Sequence, residues 1–398
     1  MEIGQEFQCE IEKCVFGSDG LTRVEGEVVF IPGTLPGEKL IARVTAPRKN
    51  FSRAEVVRFG EKSPHRQEVS CPFFGRCPGC QYLHTDYAYE TELKLAQLQD
   101  ILTGAGIEPE KMLEPVSPQP AEGYRNKVVL HVHTIGSAVK FGYVMQDNQT
   151  VCDIDRCLLA HPAINEELAK LRSDRHYMAS LREGMDVTIR NTAKGVISWR
   201  NAPAKNATWL REQLSFGELS VPCGSFFQVN REGAEALLSA VGKIIDRLQP
   251  ERFIDLYGGV GFFGSYAASR GIRDVLVVES DAAAAEAAKF NLKKFGIVEP
   301  QVIAGDAGLA LKELKSTEAP DTLLLVDPPR GGLTLRAAMC LTGSALENFV
   351  YISCNPATWA RDAVRLQKGG FKLAELQLVN MFPRTEHFEL VSLFTRAK

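Results

Sequence analysis

The sequence predicts a multidomain protein with three parts: a small β-barrel, a strand-rich middle region and a C-terminal α/β domain with a mostly parallel sheet. The chain has 398 residues, which is too long for one compact core, so several domains are expected. Near the N-terminus, short strand-like runs are separated by glycine and proline turns. From about residue 216, strand-like and helix-like segments alternate. We place the predicted domains at residues 1–58, 59–215 and 216–398.

Composition and charge limit the class of protein. Hydrophobic residues make up 45% of the chain, charged residues 24%, and the formal net charge is -3. The sequence contains no run of eighteen apolar residues, so we expect no membrane span. The first residues are acidic and lack an apolar signal core, which predicts a cytoplasmic location. This net charge gives no overall attraction to nucleic acid, so any RNA contact must come from local basic patches.

The N-terminal region has the pattern of a small barrel. Apolar and polar residues alternate between the breaks at Gly17, Gly20, Pro32-Gly33 and Pro36-Gly37, and closely spaced strands with such turns are typical of barrels. The last predicted strand carries four basic residues around Phe51, namely Arg48, Lys49, Arg53 and Arg58. They indicate either a solvated edge strand or an RNA-backbone contact with one stacking ring.

The middle region combines a cysteine cluster, a helix and several strands. Cys71, Cys77 and Cys80 have C-x5-C-x2-C spacing, which favours metal ligation over unrelated free thiols. The fourth ligand must come from elsewhere; we prefer Cys157, with Cys152 as a close competitor. Four thiolates suit an iron–sulfur cluster or zinc, and the spacing alone does not decide between them. The following "DYAYETELKLAQLQDILTGAG" predicts a helix with a glycine stop.

The C-terminal region opens with a glycine-rich turn. "FIDLYGGVGFFG" places Gly259, Gly261 and Gly264 in G-x-G-x-x-G spacing, between a predicted strand and a predicted helix. Glycines there let the backbone turn tightly and approach a ligand closely. Glu279 ends the next predicted strand, where an acid can bind ribose hydroxyls. The order of strand, helix and acid predicts a site for a nucleoside-like cofactor.

The length of this region favours one cofactor class. The sheet begins near residue 250 and the chain ends at 398, which leaves little room for the second half of a dinucleotide domain. S-adenosylmethionine is therefore favoured over a nicotinamide dinucleotide. Asp306 and Asp327 follow the next two strands at the carboxyl edge, where open α/β sheets bind ligands. Asp306 is positioned to reach the adenine amine, although either acid could instead cap a helix.

Cys354 follows the fifth strand at the same edge, near Asp327. It is either a buried small hydrophobe or a nucleophile. A thiolate that adds to C6 of a pyrimidine would let C5 accept a methyl group, and such a site should lower the pKa of the thiol. Glu389, in "HFELVSLF", is either a strand-edge acid that faces water or the base that removes the C5 proton.

Five further motifs carry a resemblance: "YRNK", "SFFQVN", "DPPRGG", "SCNPATWARD" and "MFPRTEHFE". On these residues, nearly the whole chain resembles the S-adenosylmethionine-dependent RNA uracil-5-methyltransferases. The resemblance implies an OB-like TRAM domain for the first 58 residues and a 4Fe-4S cluster on the cysteines of the central domain. It also implies a Rossmann-like class I methyltransferase domain at the C-terminus.

The same resemblance implies roles for individual residues. Cys354 would be the nucleophile and Glu389 the base. The cofactor and target-base pocket would be lined by Gln228, Tyr257, Glu279 and Asp327, with Asp306 near adenine. An RNA substrate is expected and a protein partner is not required. Ribosomal RNA is favoured because both TRAM and cluster motifs are present, with transfer RNA as the alternative.

The sequence departs from the family pattern at two positions, and two other functions compete with the one that the resemblance implies. Phe262 stands where the family often has Asn or Thr, and Arg384 replaces a frequent histidine. A nicotinamide-dependent oxidoreductase would leave the SCNP and H-x-E motifs unexplained. A non-catalytic RNA-binding protein would keep the fold and predicts that Cys354→Ala leaves 5-methyluridine levels unchanged.

Overall fold

A computed structural model describes residues 1–136, 138–145, 147–201, 209–314 and 321–396. The N-terminal strands form one sheet in the order β1-β5-β6-β4-β3-β2, with β1 (Glu6–Glu10), β2 (Lys13–Cys14), β3 (Gly20–Val24), β4 (Glu27–Ile31), β5 (Lys39–Pro47) and β6 (Phe51–Glu61). Their alternating residues bury a small core that includes Val29, Ile31 and Ala42. β6 continues past the predicted domain boundary at residue 58.

The predicted helix after the cysteine cluster is confirmed. Helix α1 (Tyr87–Ala105) begins after Asp86, whose side chain accepts a hydrogen bond from the Tyr89 N–H, and ends at Gly106 with φ of 64°. Both ends follow ordinary capping chemistry, since a short acid satisfies free N–H groups and glycine adopts the left-handed conformation without strain. The short strand β7 (Lys111–Met112) follows.

The central region is strand-rich, as predicted. Its antiparallel sheet has the order β10-β9-β8-β11-β12, formed by β8 (Lys127–Ile135), β9 (Ala138–Val144), β10 (Val151–Asp153), β11 (Asp186–Thr192) and β12 (Gly195–Arg200), with α2 (Pro162–Ser173) and α3 (Arg175–Ser180) between them in the chain. Ile164 and Leu168 of α2 pack on this sheet. A separate hairpin, β13 (Trp209–Leu214) with β14 (Gly217–Pro222), spans the predicted boundary at residue 215.

The C-terminal sheet has the order β17-β16-β15-β18-β19-β21-β20-β7. Its strands are β15 (Arg252–Leu256), β16 (Asp274–Glu279), β17 (Gln301–Ala304), β18 (Thr322–Val326), β19 (Asn348–Ser353), β20 (Phe371–Val379) and β21 (Glu389–Arg396). The helices are α4 (Arg231–Leu248), α5 (Phe262–Ser269), α6 (Ala282–Lys294), α7 (Ala307–Leu314), α8 (Leu335–Thr342) and α9 (Pro356–Lys368). Strands β15 to β19 are parallel, whereas β21 runs antiparallel between β19 and β20.

Two segments of the predicted central domain pack on the C-terminal one. β7 pairs with the edge strand β20, and Leu98 and Leu102 of α1 share a buried core with Trp359 of α9. The barrel also touches this region, because the Phe16 ring lies edge-on to Phe388 with 5.9 Å between centroids. The division at residues 58 and 215 therefore stays a prediction.

Parallel strands place their carboxyl ends at one edge, and four predicted site residues lie there. Tyr257, Glu279, Asp327 and Cys354 occur at or directly after the ends of β15, β16, β18 and β19. Apolar cores on both faces of the sheet hold these strand ends in place. Within the described residues, every helix is too short or too polar to span a bilayer.

Candidate active site and cysteine-lined cavity

The glycine-rich turn after β15 has the conformation that its sequence predicts. Tyr257, Gly259 and Gly261 have φ values of 61°, 55° and 78°, a region that glycine occupies without the penalty of a Cβ. A Cβ on Gly261 would lie 3.2 Å from that of Ala288 in α6. The Gly259 N–H donates to Glu279 Oε2 at 2.9 Å. Glu279 is thereby fixed beside the turn.

Several predicted cofactor residues surround one cavity at this edge. Its lining includes Gln228, Tyr257, Gly259 and Asp327, together with a largely apolar wall of Phe226, Phe227, Gly258, Val260, Phe262 and Phe263. The Phe262 ring packs edge-on against Phe227, so it contributes an apolar surface where the family often has a polar side chain. The cavity thus combines an apolar wall with a few polar groups, the usual composition of a cofactor site.

Three predicted cofactor residues lie apart from that lining: Glu279, which the Gly259 N–H holds, Gly261 and Asp306. Gly261 serves the close packing of α5 on α6. The Asp306 Oδ1 accepts a hydrogen bond from the Leu309 N–H at 2.9 Å, so this acid caps the start of α7. Asp306 still lies near the cavity, because its charge adds to burial in raising the pKa of Tyr257 to about 12.

Cys354 and Glu389 come together across neighbouring strands. Ser353 at the end of β19 pairs with Leu390 of the antiparallel β21, so Cys354, the residue directly after β19, lies alongside Glu389. Asp327 directly follows the adjacent parallel strand β18, where Val326 pairs with Tyr351. Glu389 is 6% exposed, and its Oε2 has no hydrogen-bond partner within the described residues. A thiol and two carboxyl groups therefore share one corner of the site.

The electrostatic environment of this corner favours protonated groups. Burial, together with Glu389 and Asp327, raises the pKa of the Cys354 thiol to about 12, while Arg330 opposes them. The expectation that the site lowers this pKa is wrong, because burial and two acids outweigh one cation. Burial also raises the pKa of both Glu389 and Asp327. Two carboxylates this close cannot both ionise easily, so the pair retains a proton near neutral pH.

The loop after β18 connects the two motifs that carry Cys354 and Glu389. The Arg330 carbonyl accepts hydrogen bonds from Asn355 Nδ2 at 3.2 Å and Thr358 Oγ1 at 3.0 Å. Its guanidinium Nη2 lies 3.2 Å from His387 Nε2. Arg330 was not predicted from the sequence. The usable signal was that it is the only cation in the "DPPRGG" motif that begins with Asp327.

Asp255 was also missed. It is fully buried in β15, and its Oδ2 accepts a hydrogen bond from the Gly264 N–H at 2.9 Å. Burial is the main cause that raises the pKa of Asp255 to about 8. The signal was a single acid inside the apolar run "RFIDLY", because an acid buried in a strand requires a partner.

The predicted metal cysteines line a second cavity, at one side of the central sheet. Cys71, Cys77, Cys80 and Cys157 all contribute to its wall, whereas Cys152 is buried in β10 and is absent from that lining. Within the described residues, no group of three or more His, Cys, Asp or Glu side chains has metal-binding geometry. The four thiols therefore face one space without being arranged as a formed metal site.

Polar groups beside this cavity are suited to sulfur ligands. Arg125 and Tyr143 also line it, and the Arg125 Nε and Tyr143 Oη are buried without a hydrogen-bond partner within the described residues. The Asn165 side chain holds Cys157 by accepting from its N–H at 2.8 Å and donating to its carbonyl at 2.9 Å. Unpartnered donors next to thiols are the groups that stabilise an anionic thiolate cluster.

The barrel strand that was a candidate RNA contact has a mixed environment. Phe51 lies edge-on to Phe30, with 5.5 Å between the ring centroids, so the ring is partly covered. Arg53 pairs with Asp19 at 3.1 Å. β6, which carries Phe51 and Arg53, lies between β5 and β4 in the sheet, so the interpretation as an edge strand is wrong, and the RNA contact at this strand stays a prediction.

Family models match two parts of the chain. The TRAM domain model matches residues 1–57, and the model described as conserved hypothetical protein 95 matches residues 234–354. The 23S rRNA (uracil(1939)-C(5))-methyltransferase RlmD of Acidithiobacillus ferrooxidans is 30% identical, and the match covers 98% of each protein. The chain belongs to the RNA uracil-C5-methyltransferase family. The RlmD of Chromohalobacter salexigens is 28% identical to this methyltransferase, over 97% of the chain and 88% of the relative.

A solved structure agrees with the fold of this methyltransferase. It is the Pyrococcus abyssi tRNA (uracil-54, C5)-methyltransferase in complex with S-adenosyl-L-homocysteine, at 24% sequence identity and a TM-score of 0.75. The match covers 98% of this chain and 99% of the other. At this identity the likeness establishes the fold, including the combination of a barrel, a central sheet and a methyltransferase sheet.

Proposed function

We propose that this enzyme uses S-adenosylmethionine to methylate C5 of a uridine in folded RNA, with ribosomal RNA as the favoured substrate. The observation that carries the proposal is the position of Cys354 alongside Glu389 at the edge of the glycine-turn cavity. A nucleophile, a carboxyl base and a cofactor cavity are the groups that this reaction needs. A nicotinamide-dependent oxidoreductase would leave the thiol and the acid without a role.

Cys354 begins the reaction in this proposal. Its Sγ adds to C6 of the extruded uracil while the thiol proton passes to Asp327, and the electron pair of the C5–C6 double bond moves into the enolate. S-adenosylmethionine supplies the electrophilic methyl group that C5 attacks. Glu389 then removes the proton from C5, the C5–C6 double bond re-forms, and the Cys354 thiolate leaves. Two protons depart in this sequence, so both acids must be ionised when it begins, and the proton that the pair retains near neutral pH has to leave the site first.

Both the backbone and the side chains of the cofactor residues would contact the bound cofactor. The left-handed turn at Gly259 permits close approach of a ligand to the backbone. Glu279, held by the Gly259 N–H, would accept hydrogen bonds from ribose hydroxyls. Gln228 and Tyr257 supply polar groups to the same cavity, and Asp306 would accept a hydrogen bond from the adenine amine. Asp327 faces both this cavity and Cys354.

The RNA must present its target base outside a helix. A paired uracil cannot reach a thiol at a sheet edge, so the base is flipped into the site, which is easier in a loop. Two RlmD relatives carry names that specify 23S rRNA, whereas the Pyrococcus abyssi structure is of a tRNA enzyme. The first similarity supports ribosomal RNA; transfer RNA is the alternative, and mapping 5-methyluridine in both RNAs from a deletion strain separates them.

For the second cavity we propose a 4Fe-4S cluster on Cys71, Cys77, Cys80 and Cys157. The shared cavity and the unpartnered donors of Arg125 and Tyr143 support this assignment. Thiolates are the usual ligands of iron–sulfur clusters. Methyl transfer needs no electron transfer, so the cluster would order the surrounding loops. Iron and acid-labile sulfide after anaerobic purification test it, and stoichiometric zinc without sulfide would contradict it.

The mechanism is tested with a substrate whose C5 substituent cannot be removed as a proton. RNA containing 5-fluorouridine should form a covalent adduct with the wild-type enzyme that survives denaturing electrophoresis, and the Cys354→Ala variant should form none. Glu389→Gln should accumulate the same kind of adduct with ordinary uridine, because only the last step is blocked. If the wild-type enzyme methylates uridine RNA but forms no adduct with the fluorinated RNA, thiol addition is excluded.

A further inference from the structure

Lys94 is a fully buried cation, distant in sequence from the motifs of the site. It lies in α1, its side chain is 0% exposed, and its Nζ is 2.8 Å from Glu90 Oε1. The same Nζ is 2.8 Å from Asn380 Oδ1, across 286 residues of chain. A buried ammonium group must be compensated by acceptors on all sides. The groups that accept hydrogen bonds from Lys94 therefore show which part of the structure this residue holds in place.

The acceptors lie at both ends of one turn. Besides Asn380, the Lys94 Nζ lies 3.3 Å from the Phe382 carbonyl oxygen and 3.1 Å from that of His387. Residues 380–388 form the turn between β20 and β21, and Glu389 is the first residue of β21. The three protons of the ammonium group thus connect the start of the turn to its end, two residues before Glu389.

Glu90, the partner of Lys94, holds the middle of the same turn. Its Oε1 and Oε2 lie 2.9 and 3.1 Å from the Arg384 N–H, and Oε1 accepts from Asn380 Nδ2 at 3.1 Å. The Arg384 guanidinium lies 3.6 Å from Glu90 Oε2. The buried unit of Glu90, Lys94 and Arg384 has two cations and one anion. Their hydrogen bonds leave the turn few alternative conformations.

The carboxyl group of Glu389 has no such support at its own end. Its Oε2 is buried without a partner within the described residues. The position of the carboxyl group therefore depends on where the backbone of β21 begins. That backbone is held by the ladders with Val379 of β20 and Ser353 of β19, and by the turn that Lys94 holds.

We propose that Lys94 is a positioning residue for proton abstraction: through the carbonyls of Phe382 and His387, it holds the turn that places Glu389 beside Cys354. This inference rests on the proposed function, in which Glu389 acts only after methyl transfer. It assigns a role to α1, a helix that carries no motif of the site. It also accounts for a buried ion pair where apolar side chains would pack equally well.

The proposal has a kinetic signature that a general loss of stability lacks. In Lys94→Met, we expect adduct formation at a rate close to that of the wild-type enzyme, because Cys354 and the cofactor cavity are untouched. Release of methylated RNA from the adduct should slow by about 10²-fold, the usual effect of an ångström-scale misplacement of a catalytic group. The KM values for RNA and cofactor should stay within about twofold, since binding residues are unchanged. Single-turnover kinetics on denaturing gels measure formation and release separately.

A matched variant on the same helix controls for destabilisation. Leu98 is 0% exposed and packs in an apolar core, where its side chain can make no hydrogen bond to the turn, so Leu98→Ala should lower the melting temperature while leaving the ratio of release to formation unchanged. If Lys94→Met fails to fold, Lys94→Met/Glu90→Gln removes both charges of the pair and keeps the volume. Hydrogen exchange of residues 381–389, compared with barrel amides, then reports on the turn directly.

The outcomes separate this inference from the proposed function. If Glu389→Gln accumulates adduct while the Lys94 variants release RNA like the wild-type enzyme, or slow both steps equally, the role of Lys94 is overturned. If Glu389→Gln accumulates none, the assignment of Glu389 as base fails, and hydrogen exchange decides on Lys94 alone. Faster exchange confined to residues 381–389 in the Lys94 variants supports its hold on the turn, and unchanged exchange contradicts it.

Discussion

Two cysteine sites in this chain place the same side chain under similar burial but among different neighbours. At the sheet edge, burial and the acids Glu389 and Asp327 raise the pKa of Cys354 to about 12, against the opposing charge of Arg330. In the central cavity, burial raises the pKa of Cys80, the neighbouring thiols raise it further, and Arg125 lowers it. One thiol is thus surrounded by proton acceptors, and the other by thiols and a cation.

The difference shows how neighbours select the use of a thiol. A thiolate next to carboxylates is unstable, so the sulfur is favoured as the neutral thiol or as the thioether that it forms with the substrate, which suits a transient nucleophile. Several thiolates beside an arginine need one further positive centre, which suits a permanent metal ligand. Burial by itself does not distinguish the two uses, since it raises the pKa in both places. The following experiments test this contrast.

The largest effect is expected at the nucleophile. Cys354→Ala should reduce methyl transfer by about 10⁴-fold or more, because the covalent route is lost as a unit. Cys340→Ala is the matched control: Cys340 is also half-buried, in α8, and should keep the wild-type rate. Methyl incorporation into RNA, together with melting temperatures, measures both. Equal rates for the two variants would remove the distinction between the two cysteine environments.

The acids around Cys354 should make the reaction dependent on pH. Because the pKa values of Cys354, Glu389 and Asp327 are raised, these groups are mostly protonated at low pH and become active as protons leave. The single-turnover rate should therefore rise between pH 6 and pH 9. The rise should be up to about tenfold per pH unit where the ionisation of one group limits the rate. A profile that falls or stays flat over this range would contradict proton acceptance by this corner.

The cavity cysteines should differ from their neighbour in β10. Cys157→Ala should lose at least about half of the bound iron, because a cluster that lacks one of four ligands is labile. Cys152→Ala should retain it, since Cys152 does not line the cavity. Metal and sulfide analysis after anaerobic purification provides the measurement. Loss of iron in Cys152→Ala but not in Cys157→Ala would make Cys152, instead of Cys157, the fourth ligand.

A smaller effect is expected on stability, through Asp255. Burial raises its pKa from 3.8 to about 8 in the folded protein, so the folded state binds the extra proton. This contribution of Asp255 to the free energy of unfolding is therefore complete below about pH 4. It is lost as the pH rises through about 8, at up to about 1.4 kcal/mol per pH unit. Asp255→Asn should flatten this slope in denaturant titrations at pH 5, 6.5 and 8. An unchanged slope would show that Asp255 is ionised in the folded protein.

Sequence reasoning located the motif residues but not their support. The glycine turn, Glu279, Asp327 and Cys354 were predicted because each follows a strand in a readable pattern. Lys94 was not predicted, since a lysine in a helix is ordinarily a surface residue. One of its partners, Asn380, lies 286 residues away in the chain. The raised pKa of Cys354 was also unpredictable, because it depends on burial and on Glu389, which only the antiparallel strand β21 brings alongside, as well as on Asp327.

The sequence by itself determined the alternation of strands and helices, the turn chemistry and the identity of the reactive groups, because these follow from local periodicity, glycine conformation and side-chain type. The tertiary structure alone decided which groups meet. It placed α1 and β7 on the C-terminal sheet, joined Cys354 to Glu389 through β-sheet register, and gathered Cys157 rather than Cys152 into the cavity. Contacts between distant segments depend on how whole faces pack, and no short stretch of residues encodes that.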